Sequence, residues 1–217
     1  MNDLPGAEGE GKAIRSLSQT AGFESSMFSG DEAKEETLYE HNKEGILHFA
    51  THGFFLPTAR LNVISNAMHR SGLALAGAQS TFESWGQGLF PDSRSDGILA
   101  AAEIAGMDMQ KISLVVLSAC ESGVGESRSG EGVLGMRRGF IHAGSANLLM
   151  TLWPVSDQYT RRFMIDFYER LFSKGESPSR AVAKVQQEHL KKLRQEKSSG
   201  EAILLAGPFF VSGKQGF

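Results

Sequence analysis

The sequence has few of the features that mark secreted, membrane or metal-binding proteins. One cysteine among 217 residues cannot form an intrachain disulfide. No apolar run approaches the ~20 residues of a membrane span, and the amino terminus lacks a basic region followed by an apolar stretch. Histidines and carboxylates are not grouped at the short spacings of a zinc site. We therefore predict a cytoplasmic protein without a resident metal or cofactor.

Neither sign of charge is in excess. The chain has 22 Lys and Arg against 25 Asp and Glu, a net charge of -3, so we predict neither nucleic acid nor a membrane as a partner. Hydrophobic residues make up 41% and charged residues 22%, as in average soluble globular domains. This composition and a length of 217 residues fit one large domain, so residues 1–217 are assigned to a single unit.

Short apolar runs alternate with segments of helical periodicity. We predict strands at residues 46–51, 112–118, 146–152 and from Pro208 onward, and shorter strands at 23–28 and 72–76. We predict helices at residues 7–20, 32–42, 98–104 and 133–143, after Ser156 and after Ser177. Residues 54–96, rich in Gly, Ser, Asn and Pro, are predicted to be a long loop region with one strand. Strands separated by helices predict an α/β sandwich with a mostly parallel sheet.

His52 and Cys120 each follow the carboxyl end of a predicted strand. In open α/β sheets, ligands bind at that edge because loops and helix amino termini collect there. A lone cysteine is often a plain core residue, but a thiol beside an imidazole becomes a thiolate nucleophile. Gly53 and Cys120 offer backbone N–H groups to the oxygen that gains charge in acyl transfer. The pattern predicts a cysteine hydrolase in which Cys120 attacks and His52 takes its proton.

Several motifs are spread over nearly the whole chain: LPGA at 4–7, ILHFATHGFF at 46–55, LVVLSACESGVG at 114–125, and residues 71–77, 96–104, 130–144 and 145–157. Together they resemble the CHAT family of bacterial caspase-like cysteine peptidase domains, which share a fold group with caspases, legumains and separases. The resemblance implies a caspase-like three-layer sandwich. It also implies that His52 is the catalytic histidine, that Cys120 is the nucleophile, and that the oxyanion hole lies at the backbone of Gly53 and Cys120.

The same resemblance implies a function. It indicates a cysteine endopeptidase that cleaves proteins or peptides through a Cys–His dyad without an obligatory third acid, in a bacterial regulated-proteolysis or defence-type system. It also indicates a tetratricopeptide-containing region or partner. The family's first core strand usually precedes the LPGA motif, and the sequence begins almost at that motif, so we expect that strand to be lacking.

Three further residues are predicted to bind substrate. By the resemblance, Ser118 and Asp157 lie at the primary specificity pocket and receive a basic side chain. Trp153, at a strand end, either stacks on substrate or closes the edge of the core. Asp157 also has a simpler role, because a carboxylate in the first turn of a helix interacts favourably with the helix dipole.

Other readings of the sequence remain open. His48 and His52, placed on the same side of one strand, would suit a metal pair, but without a third ligand a hydrogen-bonded core histidine is favoured for His48. Residues 130–135 fit GxGxxG, yet about ten residues separate them from their strand, which disfavours a dinucleotide site. For function, the alternatives are a latent or inactive caspase-like regulatory or scaffold domain that needs an upstream region or partner, and a non-peptidase thioester or amide hydrolase.

Overall fold

The computed structural model describes residues 4–41, 44–56, 66–89, 95–118 and 131–213. Its helices are α1 (Pro5–Thr20), α2 (Glu35–His41), α3 (Ala78–Gly86), α4 (Ala101–Ala105), α5 (Glu131–His142), α6 (Asp157–Lys174), α7 (Pro178–Glu196) and α8 (Ser199–Ala206). Its strands are β1 (Gly45–Phe49), β2 (His52–Phe55), β3 (Ser71–Ala74), β4 (Ile98–Ala100), β5 (Ile112–Leu117), β6 (Asn147–Thr151) and β7 (Phe209–Gly213). Short 3-10 helices occur at Gly30–Glu32 and Ala67–His69.

A four-stranded sheet in the order β1-β5-β6-β7 forms the centre of the molecule. β1, β5 and β6 are parallel, and β7 runs antiparallel to β6. Along β5, Leu114 and Val116 face one core while Val115 and Leu117 face the other, as expected for a strand covered on both sides. The predicted α/β sandwich with a mostly parallel sheet flanked by helices is therefore confirmed.

Helices cover both faces of this large sheet. Residues of α1, α6 and α7 pack on one face, and residues of α2, α4 and α5 pack on the other. On the first face, Phe163 of α6 is fully buried and its ring stacks on Phe209 of β7, with centroids 3.7 Å apart. Ser156 accepts a hydrogen bond from the Tyr159 N–H, which caps α6 as its sequence predicts.

A second, three-stranded antiparallel sheet in the order β2-β3-β4 lies beside the first. Its own apolar core is small and consists of Phe54, Ala74, Ala78 and Ile98, with Leu56, Phe82 and Trp85 packed against it. Polar contacts add to it. Thr81 Oγ1 donates to the Asp96 carbonyl at 2.6 Å, and Glu35 Oε1 accepts from the Gly97 N–H at 2.8 Å.

Two glycines let α5 pack closely against this small sheet and against α4. A Cβ at Gly135 would lie 2.2 Å from Ser71 Oγ, and one at Gly139 would lie 2.6 Å from the Ala101 carbonyl oxygen. Neither position has room for a side chain. Close helix packing therefore explains Gly135, the last glycine of the GxGxxG pattern, without a dinucleotide.

The structure corrects several sequence predictions. Residues 23–28 form no strand, and Phe23 and Phe28 are exposed. Residues 98–104 divide into β4 and α4, because residues 98–100 pair with β3 before the helix begins. The region 54–96 contains β3 and the nine-residue α3, and so has more regular structure than the predicted loop with one strand. The apolar run at residues 46–51 predicts a strand buried on both faces, but β1 is only partly buried because it is an edge strand of the described sheet. Helix α8 was not predicted.

None of the described helices combines the length and the apolar character that a membrane-spanning helix needs.

Candidate active site

The chain segments that carry the predicted dyad leave the large sheet side by side. Phe49, the last residue of β1, pairs with Leu117, the last residue of β5. One residue later, the Ser118 N–H donates to the Phe49 carbonyl at 2.9 Å, so the two strands remain paired up to their carboxyl ends. Cys120, with its predicted roles as nucleophile and oxyanion-hole donor, lies outside the described residues.

His52 is the first residue of β2 and lies opposite Ala74 of β3. It is partly buried. The preceding residue, Thr51, donates its hydroxyl hydrogen to the Ala74 carbonyl, which ties the chain to β3 immediately before the histidine. The position of His52 is therefore determined by the small sheet and by the short link from β1.

The backbone N–H and carbonyl groups of Gly53 are directed away from β3. In an antiparallel pair, hydrogen-bonded and non-hydrogen-bonded positions alternate. Leu56 and Arg70 form a hydrogen-bonded pair, since the Leu56 N–H donates to the Arg70 carbonyl at 2.8 Å. Gly53 precedes Leu56 by three residues and is paired with Leu73. Gly53 therefore falls at a non-hydrogen-bonded position, and its N–H is directed to the side of β2 opposite β3.

A cavity of about 40 Å³ lies between the two sheets at this edge. The small sheet contributes Gly53, Phe54, Gly72 and Leu73. The large sheet contributes residues at and after the ends of its strands, namely Leu117, Met150, Thr151, Leu152 and Trp153. The first turns of α5 close the third side with Gly132, Val133 and Met136. Gly53 and Trp153, both predicted site residues, are thus brought to one cavity.

Trp153 is held at the rim of this cavity by α8. Its indole Nε1 donates to the Leu204 carbonyl at 2.9 Å, and its side chain is partly buried. The neighbouring Leu152 also lines the cavity and is 49% exposed. The ring is thus fixed in orientation. A contact between Trp153 and substrate stays a prediction.

Ser118 and Asp157 have different surroundings from each other. Ser118 is buried directly after β5. Asp157 is the first residue of α6, where its carboxylate interacts favourably with the helix dipole. Its Oδ2 also accepts a hydrogen bond, at 2.6 Å, from the Gly6 N–H in the first turn of α1. No local sequence pattern predicts this link between α1 and α6. Substrate binding by either residue stays a prediction.

His48 is a hydrogen-bonded core histidine, as predicted. Its Nε2 lies 2.9 Å from Glu10 Oε1, and its Nδ1 lies 3.0 Å from the Tyr168 hydroxyl. Burial, and then the Glu10 charge, raise the pKa of Tyr168 well above its ordinary value. The expectation that His48 and His52 share one strand is wrong, because β1 ends at Phe49 and His52 begins β2. Among the described residues, no group of three or more candidate ligands is placed to hold a metal ion.

Glu35 is a buried carboxyl group that sequence reasoning missed. Burial raises its pKa to about 7, against the lowering effect of the Gly97 N–H, and Glu103, Asp96 and Glu36 raise it further. It joins the start of α2 to the residue before β4. The sequence around Glu35 is acidic and typical of an exposed helix, so it does not predict the hydrogen bond to Gly97.

The apolar lining of the cavity was also missed. Met136, Met150 and Val133 read as ordinary core residues of α5 and β6, and only the packing of α5 across the strand ends brings them together. Their positions near the carboxyl ends of the strands or the start of a helix were the available signal.

Comparison with known families yields one match. The sequence model of the family described as the CHAT domain matches residues 1–206. No curated protein matches the chain.

Proposed function

Because the chain belongs to the CHAT domain family, we propose that it is a cysteine endopeptidase that cleaves protein or peptide substrates through Cys120 and His52. The family is of the caspase-like type and is related to cysteine peptidases. The finer assignment to a Cys–His dyad rests on how the chain leaves the large sheet.

The hydrogen bond from Ser118 to Phe49 is the observation that carries this proposal. Cys120 follows Ser118 by two residues, and His52 follows Phe49 by three. Because a chain extends at most ~3.6 Å per residue, the Cα of His52 can lie no further than roughly 11 Å from that of Phe49, and the Cα of Cys120 no further than roughly 7 Å from that of Ser118. This supports a direct interaction between the thiol and the imidazole.

In the proposed reaction, His52 takes the thiol proton and Cys120 Sγ forms a bond to the substrate carbonyl carbon. The carbon–nitrogen bond then breaks as His52 gives the proton to the leaving amine. Water attacks the thioester, His52 accepts its proton, and the carboxylate product leaves as the thiol is restored. The orientation of the Gly53 N–H away from β3 supports its role, with the Cys120 N–H, as donor to the developing oxyanion.

The proposal is tested by mass-spectrometric detection of peptides cleaved from a library. We expect wild-type protein to cut a defined subset, and Cys120→Ala and His52→Ala each to lower the cleavage rate by roughly 1000-fold. His41→Ala, at an exposed histidine of α2, is the matched control and should leave cleavage unchanged. Products that persist in Cys120→Ala would contradict the proposal.

A second candidate is a latent caspase-like regulatory domain that an upstream region or a tetratricopeptide partner completes. The edge position of β1 in the described sheet favours it, since this strand leads to His52 and its outer side pairs with no described strand. An added strand there would stabilise the approach to the site. Cleavage that appears only after the partner is added would favour latency, whereas cleavage by the chain alone would rule it out.

A further inference from the structure

Apolar side chains line the cavity between the two sheets on each side that the structure describes, and Thr151 is the polar side chain among the described lining residues. Leu73 of β3, Leu117 of β5, Met150 of β6 and Met136 of α5 face it together. Its described lining includes no charged side chain. An ionised group that entered would lose its hydration without gaining a partner, which is strongly unfavourable. The described part of the lining therefore disfavours Arg, Lys, Asp and Glu.

The position of the cavity relative to the proposed catalytic residues indicates which part of a bound peptide would occupy it. Gly53, the proposed oxyanion donor, lies in its wall, and Leu117 precedes Cys120 by only three residues. A carbonyl group held at Gly53 would thus have its own side chain beside the cavity. A peptide bound in this way would place in the cavity the side chain of the residue on the amino side of the scissile bond.

The size and walls of the cavity favour an aliphatic or thioether side chain. Its volume of about 40 Å³ has room for about three water molecules, which suits three or four non-hydrogen atoms better than an indole. Met136 and Met150 are flexible and polarizable, so they adapt to unbranched or γ-branched groups.

Apolar surface continues beyond the mouth of the cavity. Leu152 and Trp153 form part of its wall, and Ile203 and Leu204 of α8 are 47% and 60% exposed. Trp153 hydrogen-bonds the Leu204 carbonyl, so this surface lies directly against the rim. Exposed apolar surface joined to a pocket is typical of a binding site for an apolar ligand.

We propose that this cavity is the pocket that sets cleavage specificity and that it receives leucine or methionine on the amino side of the scissile bond. The inference rests on the proposed peptidase function for the identity of its occupant, and it deepens that function by naming the substrate class. It differs from the basic side chain that the sequence predicts for Ser118 and Asp157. The Asp157 carboxylate accepts a hydrogen bond from the Gly6 N–H, and Asp157 is not among the described residues that line the cavity.

The first test uses peptidyl acyloxymethyl ketones that differ only in the residue next to the reactive group. Cys120 is the only cysteine, so mass spectrometry follows its labelling alone. Leucine and methionine probes should label it at least about tenfold faster than arginine or aspartate probes. Equal or faster labelling by the arginine or aspartate probe overturns the inference.

A charge placed in the pocket should reverse this preference. Val133 is partly buried in the lining, so Val133→Asp should favour the arginine probe over the leucine probe. Leu134→Asp is the matched control, because the adjacent side chain is 48% exposed and outside the described lining. It should keep the wild-type order. A reversal by both variants, or by neither, contradicts the assignment.

A binding measurement separates this inference from the peptidase proposal. Capped leucine, methionine, arginine and aspartate peptides are titrated into Cys120→Ala by calorimetry. Tighter binding of the leucine and methionine peptides supports the pocket even if wild-type Cys120 is never labelled, in which case the peptidase proposal alone fails. Equal or undetectable binding of all four overturns the pocket even if labelling occurs.

Discussion

The large and small sheets of the molecule are held together in different ways. The large sheet is covered on both faces by apolar helix surfaces, and its central strands are almost entirely buried. The small sheet has a core of four buried residues. Side-chain hydrogen bonds that Thr51 and Thr81 donate and that Glu35 accepts reinforce its links to neighbouring segments. His52 and Gly53 belong to the small sheet, whereas Cys120 follows a strand of the large one. The proposed dyad therefore joins the more and the less extensively packed parts of the fold.

The largest expected effect is the loss of a core ring on the large sheet. Phe163→Ala removes a fully buried ring that stacks on Phe209, and should lower the free energy of unfolding by about 3–5 kcal/mol. Phe23→Ala, at a ring that is 56% exposed, is the control and should cost far less. Urea unfolding measures both. Equal losses would mean that the large sheet is not the main source of stability.

Glu35 should make the attachment of the small sheet depend on pH. Its pKa is about 7 in the folded chain, above its ordinary value, so its neutral form favours folding. The stability it contributes is full below about pH 4.5 and is lost as pH rises through about 7, with a difference of up to about 3 kcal/mol. Glu35→Gln should make this decline between pH 5 and 8 clearly smaller, as measured by urea unfolding at each pH.

The matched control for Glu35 is the neighbouring Glu36→Gln. Glu36 is exposed, and its hydrogen bond with Ser95 holds the pKa of its carboxyl below the ordinary value, so it does not titrate in this range. It should keep the wild-type decline. A decline as large in Glu35→Gln as in the wild type would assign the pH dependence to other groups.

The smallest effect should be confined to the small sheet. Thr81→Val keeps the side-chain shape but removes the hydrogen bond to Asp96, at a cost of about 1–2 kcal/mol. Amide hydrogen exchange in β2, β3 and β4 should become roughly tenfold faster, with little change in β5 and β6. Thr20→Val, which removes an exposed hydroxyl bond in α1, should leave these strands unchanged. Faster exchange in both sheets would mean that they open as one unit.

This contrast also explains how much of the molecule can be predicted from sequence. Strands β5 and β6 are continuous apolar runs, and α6 repeats its apolar residues on one face, so the large sheet and its helices follow from pattern alone. β2 and β4 have four and three residues and depend on pairing with β3, which local sequence does not specify.

For the site as well, features that depend on local sequence can be predicted and features that depend on packing cannot. The place of His52 and Gly53 directly after a strand follows from the sequence, whereas the turn that puts His52 into a second sheet does not. The pocket residues Met136 and Met150 were not identified, because they meet only through the packing of α5 against the strand ends. For Asp157 the sequence predicts a role in the specificity pocket or an interaction with the dipole of its own helix, whereas its bond to Gly6 depends on the distant α1.

The central claim is that His52 acts on Cys120, and the most direct measurement is the pH dependence of cysteine alkylation. Iodoacetamide reports on Cys120 alone, because the chain has no other cysteine. An ordinary thiol has a pKa of about 8.5, whereas one paired with an imidazole reacts well below that pH. We expect rapid alkylation of the wild type at pH 6.5 and a rate about tenfold lower in His52→Ala, with the difference lost near pH 9.5. Identical pH profiles for the two proteins would contradict the dyad.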